Sequence, residues 1–124
     1  MRLSKVFALA LILTGPGLIS PAMAQAQQCP ISGSPSDWGS NSFGYIQINS
    51  GGSCLFGLSV RGEILSSNVS QRPSHGNLRR INRSSYVYTS RAGFRGQDTF
   101  AVQATGKGPY SSGTSVITIN ATVQ

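Results

Sequence analysis

The stretch from Ser85 to Val123 constrains the fold more than any other part of the chain. Tyr86 and Tyr88, then Phe100, Val102 and Ala104, then Ile117, Ile119, Ala121 and Val123 place an apolar residue at every second position. Successive side chains of extended backbone point to opposite sides, so this is the spacing of strands with one buried face. Glycines at Gly93 and Gly96 supply unusual backbone angles to the loop between the first two segments. Phe94 is expected to tuck inward from that loop.

The same alternation continues upstream, more weakly. Phe43 to Asn49 reads as a strand, with Tyr45 and Gln47 opposite Ile46 and Ile48. Cys54, Phe56, Leu58 and Val60 read as a second, nearly buried one, with Gly57 marking a bulge or a close backbone approach. Ile64 to Val69 and Leu78 to Ile81 are shorter candidates. Gly51-Gly52, Arg61-Gly62, Gln71 to Asn77 and Asn82 to Ser84 carry turn chemistry. No apolar helical period runs across ten or more residues downstream of the N-terminal segment. The expectation is an all-β sandwich of about seven strands over residues 43–124, preceded by an irregular segment over residues 25–42.

Residues 1–24 have the three parts of a secretory signal: Arg2 and Lys5, an apolar run from Val6 to Leu13, and small residues at Ala22 and Ala24. Cleavage is placed after Ala24 or Ala26. The apolar run is short for a membrane span, and no other exists, so no span is expected after cleavage. The implied destination is periplasmic or secreted, in a bacterial setting. Removing the signal leaves eight basic residues against three acidic ones, Asp37, Glu63 and Asp98, a net charge of +5. About a hundred residues suffice for one two-layer core.

Cys29 and Cys54 are the only cysteines. In an oxidising compartment they are expected to form one disulfide. There is no Cys-x-x-Cys to suggest a redox pair. Trp38, the only tryptophan, has two readings, a cap on the open end of the core or a sugar-stacking platform; the cap is favoured because tryptophan is largely buried on average.

One stretch carries a family signature. Pro73-Ser74-His75-Gly76-Asn77-Leu78, Tyr86-x-Tyr88-Thr89, Ala92-Gly93-Phe94-Arg95-Gly96-Gln97-Asp98-Thr99-Phe100 and Thr118 to Val123 together resemble the bacterial cadherin-like, immunoglobulin-like repeat of surface and secreted proteins. The resemblance spans about Pro73 to Val123. It implies a seven-stranded immunoglobulin-like Greek-key sandwich that supplies spacing, adhesion or ligand display. This chain departs from the family in having a single copy and in lacking an acidic Asn-Asp segment in its first half.

The residues leave little room for catalysis. Calcium sites want several carboxylates, and the three here are widely separated; the resemblance implies instead that Asp98 caps amides of the Gly93–Gly96 turn, a local bond that Asp readily accepts. His75, the only histidine, sits between Pro73 and Gly76 as a turn residue without the partners of a catalytic triad. A glycosidase needs two facing carboxylates, and one histidine provides no zinc set. No enzyme activity, cofactor or metal site is therefore expected. Three triplets, at Asn68, Asn82 and Asn120, match the glycosylation pattern but are common by chance in so Ser/Thr-rich a chain.

Charge is the remaining signal. Arg72, Arg79, Arg80, Arg83, Arg91 and Arg95 crowd into one segment. Guanidinium groups fork onto carboxylates and phosphates. The cluster reads either as a patch for anionic ligands such as acidic glycans, lipid phosphates or nucleic acid, or as a solvated cationic surface; specific nucleic-acid recognition is not expected. The chain thus reads as a non-catalytic exported binding or structural module, with a cell-surface polymer or another exported protein as partner. The alternative is an accessory or inhibitor protein that binds a secreted enzyme through Trp38 and the loops.

Overall fold

The computed structural model describes residues 26–33 and 37–124; residues 1–24, read above as a secretory signal, lie outside these. Eight strands follow in chain order: β1 Ala26–Gln28, β2 Ser42–Ile48, β3 Ser53–Gly57, β4 Glu63–Gln71, β5 Gly76–Asn82, β6 Ser85–Ser90, β7 Gly96–Lys107 and β8 Ser112–Val123. They form two four-stranded sheets, ordered β1-β3-β6-β5 and β2-β8-β7-β4. Both sheets are mixed: β1 runs parallel to β3 and β2 parallel to β8, and the other pairings are antiparallel. The chain crosses between sheets at every connection except β5–β6 and β7–β8.

The period-two residues form one core between the sheets. Cys54, Phe56, Leu78, Tyr86 and Tyr88 enter from the first sheet; Ile46, Phe100, Val102, Ile117 and Ile119 enter from the second. Phe100 of β7 joins the layers. Its ring lies 4.9 Å from Tyr88 at 17° and 5.9 Å from Phe56 at 38°, and Phe56 in turn stacks 6.2 Å from Tyr86. Burying each such ring contributes about 1.5–3 kcal/mol, with roughly 0.5–1.5 kcal/mol more for a well-placed ring pair.

The segment expected to be irregular contains β1 and an isolated antiparallel bridge from Ser32 to Tyr45. The disulfide is formed: Cys29, just after β1, is bonded to Cys54 of β3 with a Cα–Cα distance of 5.5 Å. It clips β1 onto the edge of the first sheet. The second expected strand is cut short at Gly57, where the chain leaves β6 for the other sheet, so Leu58 and Val60 pack against the core from outside the ladder. Gly57 makes no bulge; it pairs in register with Ser85.

The bulges fall elsewhere. One extra residue interrupts the ladder at Leu65 and at Ser70 in β4, and at Ile81 in β5. Leu65 and Ile81 are exposed; each lies at an odd spacing from a buried residue of its own strand, Ile64 and Leu78, so the period of two already turns it outward. Both strands are sheet edges, where bulges hinder pairing with another chain.

Trp38 is 4% exposed and caps the core at the Gly106 end. A Cβ on Gly106 would lie 2.2 Å from its Cζ2, so the indole rests directly on the β7 backbone. Ser111 Oγ donates to its carbonyl. The sugar-platform reading and the use of Trp38 as a contact for another protein both fail on this burial.

Candidate functional site

The His75 turn, at the start of β5, is held by a buried carboxylate. Asp98 is 3% exposed. Its Oδ1 accepts the backbone N–H of Ser74 at 2.9 Å, and its Oδ2 accepts that of His75 at 3.1 Å. The Tyr88 hydroxyl donates to Oδ2 at 2.7 Å. The capping role expected of Asp98 is thus present, but its amides belong to the Ser74–His75 turn and not to the Gly93–Gly96 loop. The cause lies in β7's alternation: Asp98 shares the inward parity of Phe100, which aims it across the sandwich at β6 and the β5 entry. Burial, and then the hydrogen bond to Asp98, raise the Tyr88 phenol above its ordinary value of 10.0.

His75 does not join this network through its ring. The imidazole stacks flat on Phe94, with centroids 4.1 Å apart and planes 4° from parallel. Phe94 is therefore half-buried against His75 and contributes no side chain to the core cluster. Gly93 (φ +89°) and Gly96 (φ +135°) hold the left-handed angles expected of them and fold that loop over His75. Asp98 bonds the His75 backbone, so no acid orients the imidazole as a triad requires. Among the described residues, no group of three or more His, Cys, Asp or Glu could hold a metal ion.

Four of the six arginines follow the free edge of the first sheet, and the other two, Arg91 and Arg95, lie in the loop between β6 and β7. β5 pairs with β6 on one side only. Arg79 and Arg80 occupy its middle and are both exposed. Adjacent strand residues point to opposite faces, so the pair straddles the edge and does not pave one face. Arg83 stands in the turn after β5. Arg72 precedes its entry. Arg91 is tied to the same entry, donating from Nη2 to the Ser74 carbonyl at 3.1 Å and from its backbone N–H to the His75 carbonyl at 2.8 Å. Arg95 follows Phe94 in the loop that covers His75. The described residues contain one ion pair, Arg61 to Asp37 at 3.7 Å, and it involves none of the six. The sequence showed the charge but not the edge, because the edge is a property of strand order.

Sequence alone did not single out Phe43 and Tyr45, which are 61% and 54% exposed on β2. The signal was present, since both alternate with core residues of the same strand. What they stand beside depends on the parallel pairing with β8.

No protein-family model matches the chain, and no curated protein matches it. Among solved structures, a chain from the structure of PbICP-C in complex with falcipain-2 is similar over 82% of this chain and 100% of that one, at 12% identity and a TM-score of 0.46. The molecule itself is an all-β, two-sheet protein with one disulfide, and among its described residues no helix is long and apolar enough to cross a membrane.

Proposed function

We propose that the chain is an exported, non-catalytic binding module with an immunoglobulin-like fold, and that it holds an anionic ligand along the free edge of β5. The observation that carries this reading is the exposed Arg79–Arg80 pair on a strand whose outer edge is unpaired, with Arg72 and Arg83 in the flanking turns and no carboxylate partner among the described residues. Unpaired guanidinium groups in a row suit spaced carboxylates, sulfates or phosphates of a polymer. Export is supported by the N-terminal signal pattern and by the disulfide. The immunoglobulin-like assignment is supported by strand order: β1-β3-β6-β5 opposite β4-β7-β8 follows the A-B-E-D and C-F-G arrangement. The parallel β1–β3 pair and the position of the disulfide depart from that arrangement.

The test is retention on a sulfated polysaccharide and on lipopolysaccharide at increasing salt. Retention that falls with salt, and that falls further in Arg79→Ala/Arg80→Ala than in Arg61→Ala, supports the reading. Retention that is insensitive to salt, or equal in the two variants, refutes it.

One observation favours the accessory or inhibitor reading. Tyr110 is 80% exposed on the β7–β8 turn, and a projecting tyrosine is a common anchor in protein–protein contacts. Capture of a single secreted protein that is lost in Tyr110→Ala would favour this second reading.

A further inference from the structure

The outer face of the second sheet has a composition unlike the rest of the surface. Strand register places Phe43 beside Thr118, Tyr45 beside Asn120, and Gln47 beside Thr122. Across β8, Thr99 stands beside Asn120 and Gln97 beside Thr122. The result is a lattice of two exposed rings among hydroxyls and amides. No charged residue holds an outward position on β7 from Gln97 to Thr105, on β8 from Thr114 to Thr122, or on β2. The chain has eleven charged residues after residue 24, and the outward positions of these strand stretches hold none of them.

The polar groups are fixed but not exhausted. Thr99 Oγ1 donates to Asn120 Oδ1 at 2.8 Å, and Gln97 Nε2 donates to Thr122 Oγ1 at 3.1 Å. These bonds hold the amide of Asn120 with its nitrogen unengaged, and that of Gln97 with its oxygen unengaged, among the described residues. The Gln47 side chain has no partner among them either. Next to Tyr45 lies an open groove of about 580 Å³, lined by Pro30, Ser32, Tyr45, Ile46, Gln47 and Thr122. None of these six is charged, and the volume is within the range of about 300–1,000 Å³ typical of small-ligand sites.

We propose that this face, centred on Tyr45, is a binding site for a neutral oligosaccharide. Sugars offer an apolar C–H face that stacks on a ring and a rim of hydroxyls that both donate and accept. Tyr45 and Phe43 supply the rings; Gln47, Asn120, Thr122 and Gln97 supply amides and hydroxyls of both senses. An anionic polymer would be drawn to the arginine edge of the other sheet. A second copy of the chain would be expected to meet a more apolar interface core than two rings set among threonines and amides. The site is separate from the proposed anionic-ligand edge and does not depend on it.

The test is calorimetric titration of the intact mature protein with cellohexaose, maltohexaose, xylohexaose and fully acetylated chitohexaose, at low and high salt. At least one of them binds, and its affinity is unchanged by salt. Phe43→Ser/Tyr45→Ser weakens that binding by about tenfold or more, the loss expected for one or two stacked rings, while Arg79→Ala/Arg80→Ala leaves it unchanged. Tyr45→Ala serves in place of the double variant if the latter does not match the wild-type melting curve. The proposal is overturned if no hexasaccharide binds, if removing the rings leaves affinity intact, or if binding follows the arginine pair. It is also overturned if the wild-type protein sediments as a dimer that ring removal converts to monomer.

Discussion

The hydroxyl of Tyr88 donates to Oδ2 of Asp98 across 2.7 Å, where neither side chain has more than a trace of solvent contact. The unfolded chain releases the phenol proton near pH 10.0, whereas the folded chain keeps it to higher pH. The folded state therefore binds more protons than the unfolded state above about pH 10, and stability must fall as pH rises there. Below that pH the contribution is complete and flat. Denaturant midpoints measured across the alkaline range should show this decline in wild-type protein and a shallower one in Tyr88→Phe.

Asp98→Ala removes the acceptor shared by the Ser74 and His75 amides and the Tyr88 hydroxyl. Leaving such groups without a partner should cost about 2–5 kcal/mol. Amide exchange at Ser74 and His75 should accelerate in Asp98→Asn, which keeps the shape and loses the charge. Unchanged exchange there would show that Asp98 does not hold the turn.

Gly106→Ala should be among the most damaging small substitutions. Its Cβ would stand 2.2 Å from the Glu63 carbonyl oxygen as well as from Trp38, and the first is backbone that cannot step aside. Overpacking of this kind costs about 3 kcal/mol. Gly57→Ala is the control: its Cβ would meet the Ser84 carbonyl oxygen at 3.7 Å, an ordinary contact, and its melting temperature should stay close to wild type. The tryptophan emission of Gly106→Ala should shift to the red as the indole loses its seat.

Cys29→Ala/Cys54→Ala opens a loop with a sequence separation of 25. Stability should drop by about 3 kcal/mol by the chain-entropy relation, read as a lower guanidinium midpoint. The local consequence should fall on β1, which its pairing with β3 alone would then hold in the sheet; protease nicking near Gln27 and Gln28 should increase.

The arginine edge makes a prediction about stability as well as binding. Arg79 and Arg80 are exposed and have no ion-pair partner among the described residues. Arg79→Ala/Arg80→Ala should therefore leave the melting curve within about 0.5 kcal/mol of wild type, even where it abolishes retention on anionic polymers. A large loss of stability would reassign the pair to a structural role.

Strands whose side chains alternate without interruption were legible in the sequence. Phe100, Val102, Ile117 and Ile119 announce a buried face by spacing alone, and they are buried on that face. β1 was not legible: Gln27 and Gln28 carry no apolar signal, and the strand is held by the disulfide and by pairing with β3. The bulges at Leu65, Ser70 and Ile81 were not legible, because a bulge is decided by the partner strand. Trp38 was legible as a cap from its size and solitude. The partners of Asp98 were not, because 24 residues separate it from Ser74 and only the fold closes that distance. Positive charge between Arg72 and Arg95 was plain, but its arrangement along a sheet edge depends on strand order. The neutral, ring-bearing face depends on it equally, through the parallel register of β2 and β8.

That parallel register has a mechanical consequence. Seven consecutive residues of β2, Ser42 to Ile48, run beside Ile117 to Val123 of β8. Tension applied to the leading end of β2 and the trailing end of β8 would drag the two strands past each other along their length. Their hydrogen bonds would then bear the force together and could not break in succession like a zipper. A molecule tethered at both ends and stretched by flow or by a moving surface would yield at this seam only when the whole ladder gives way.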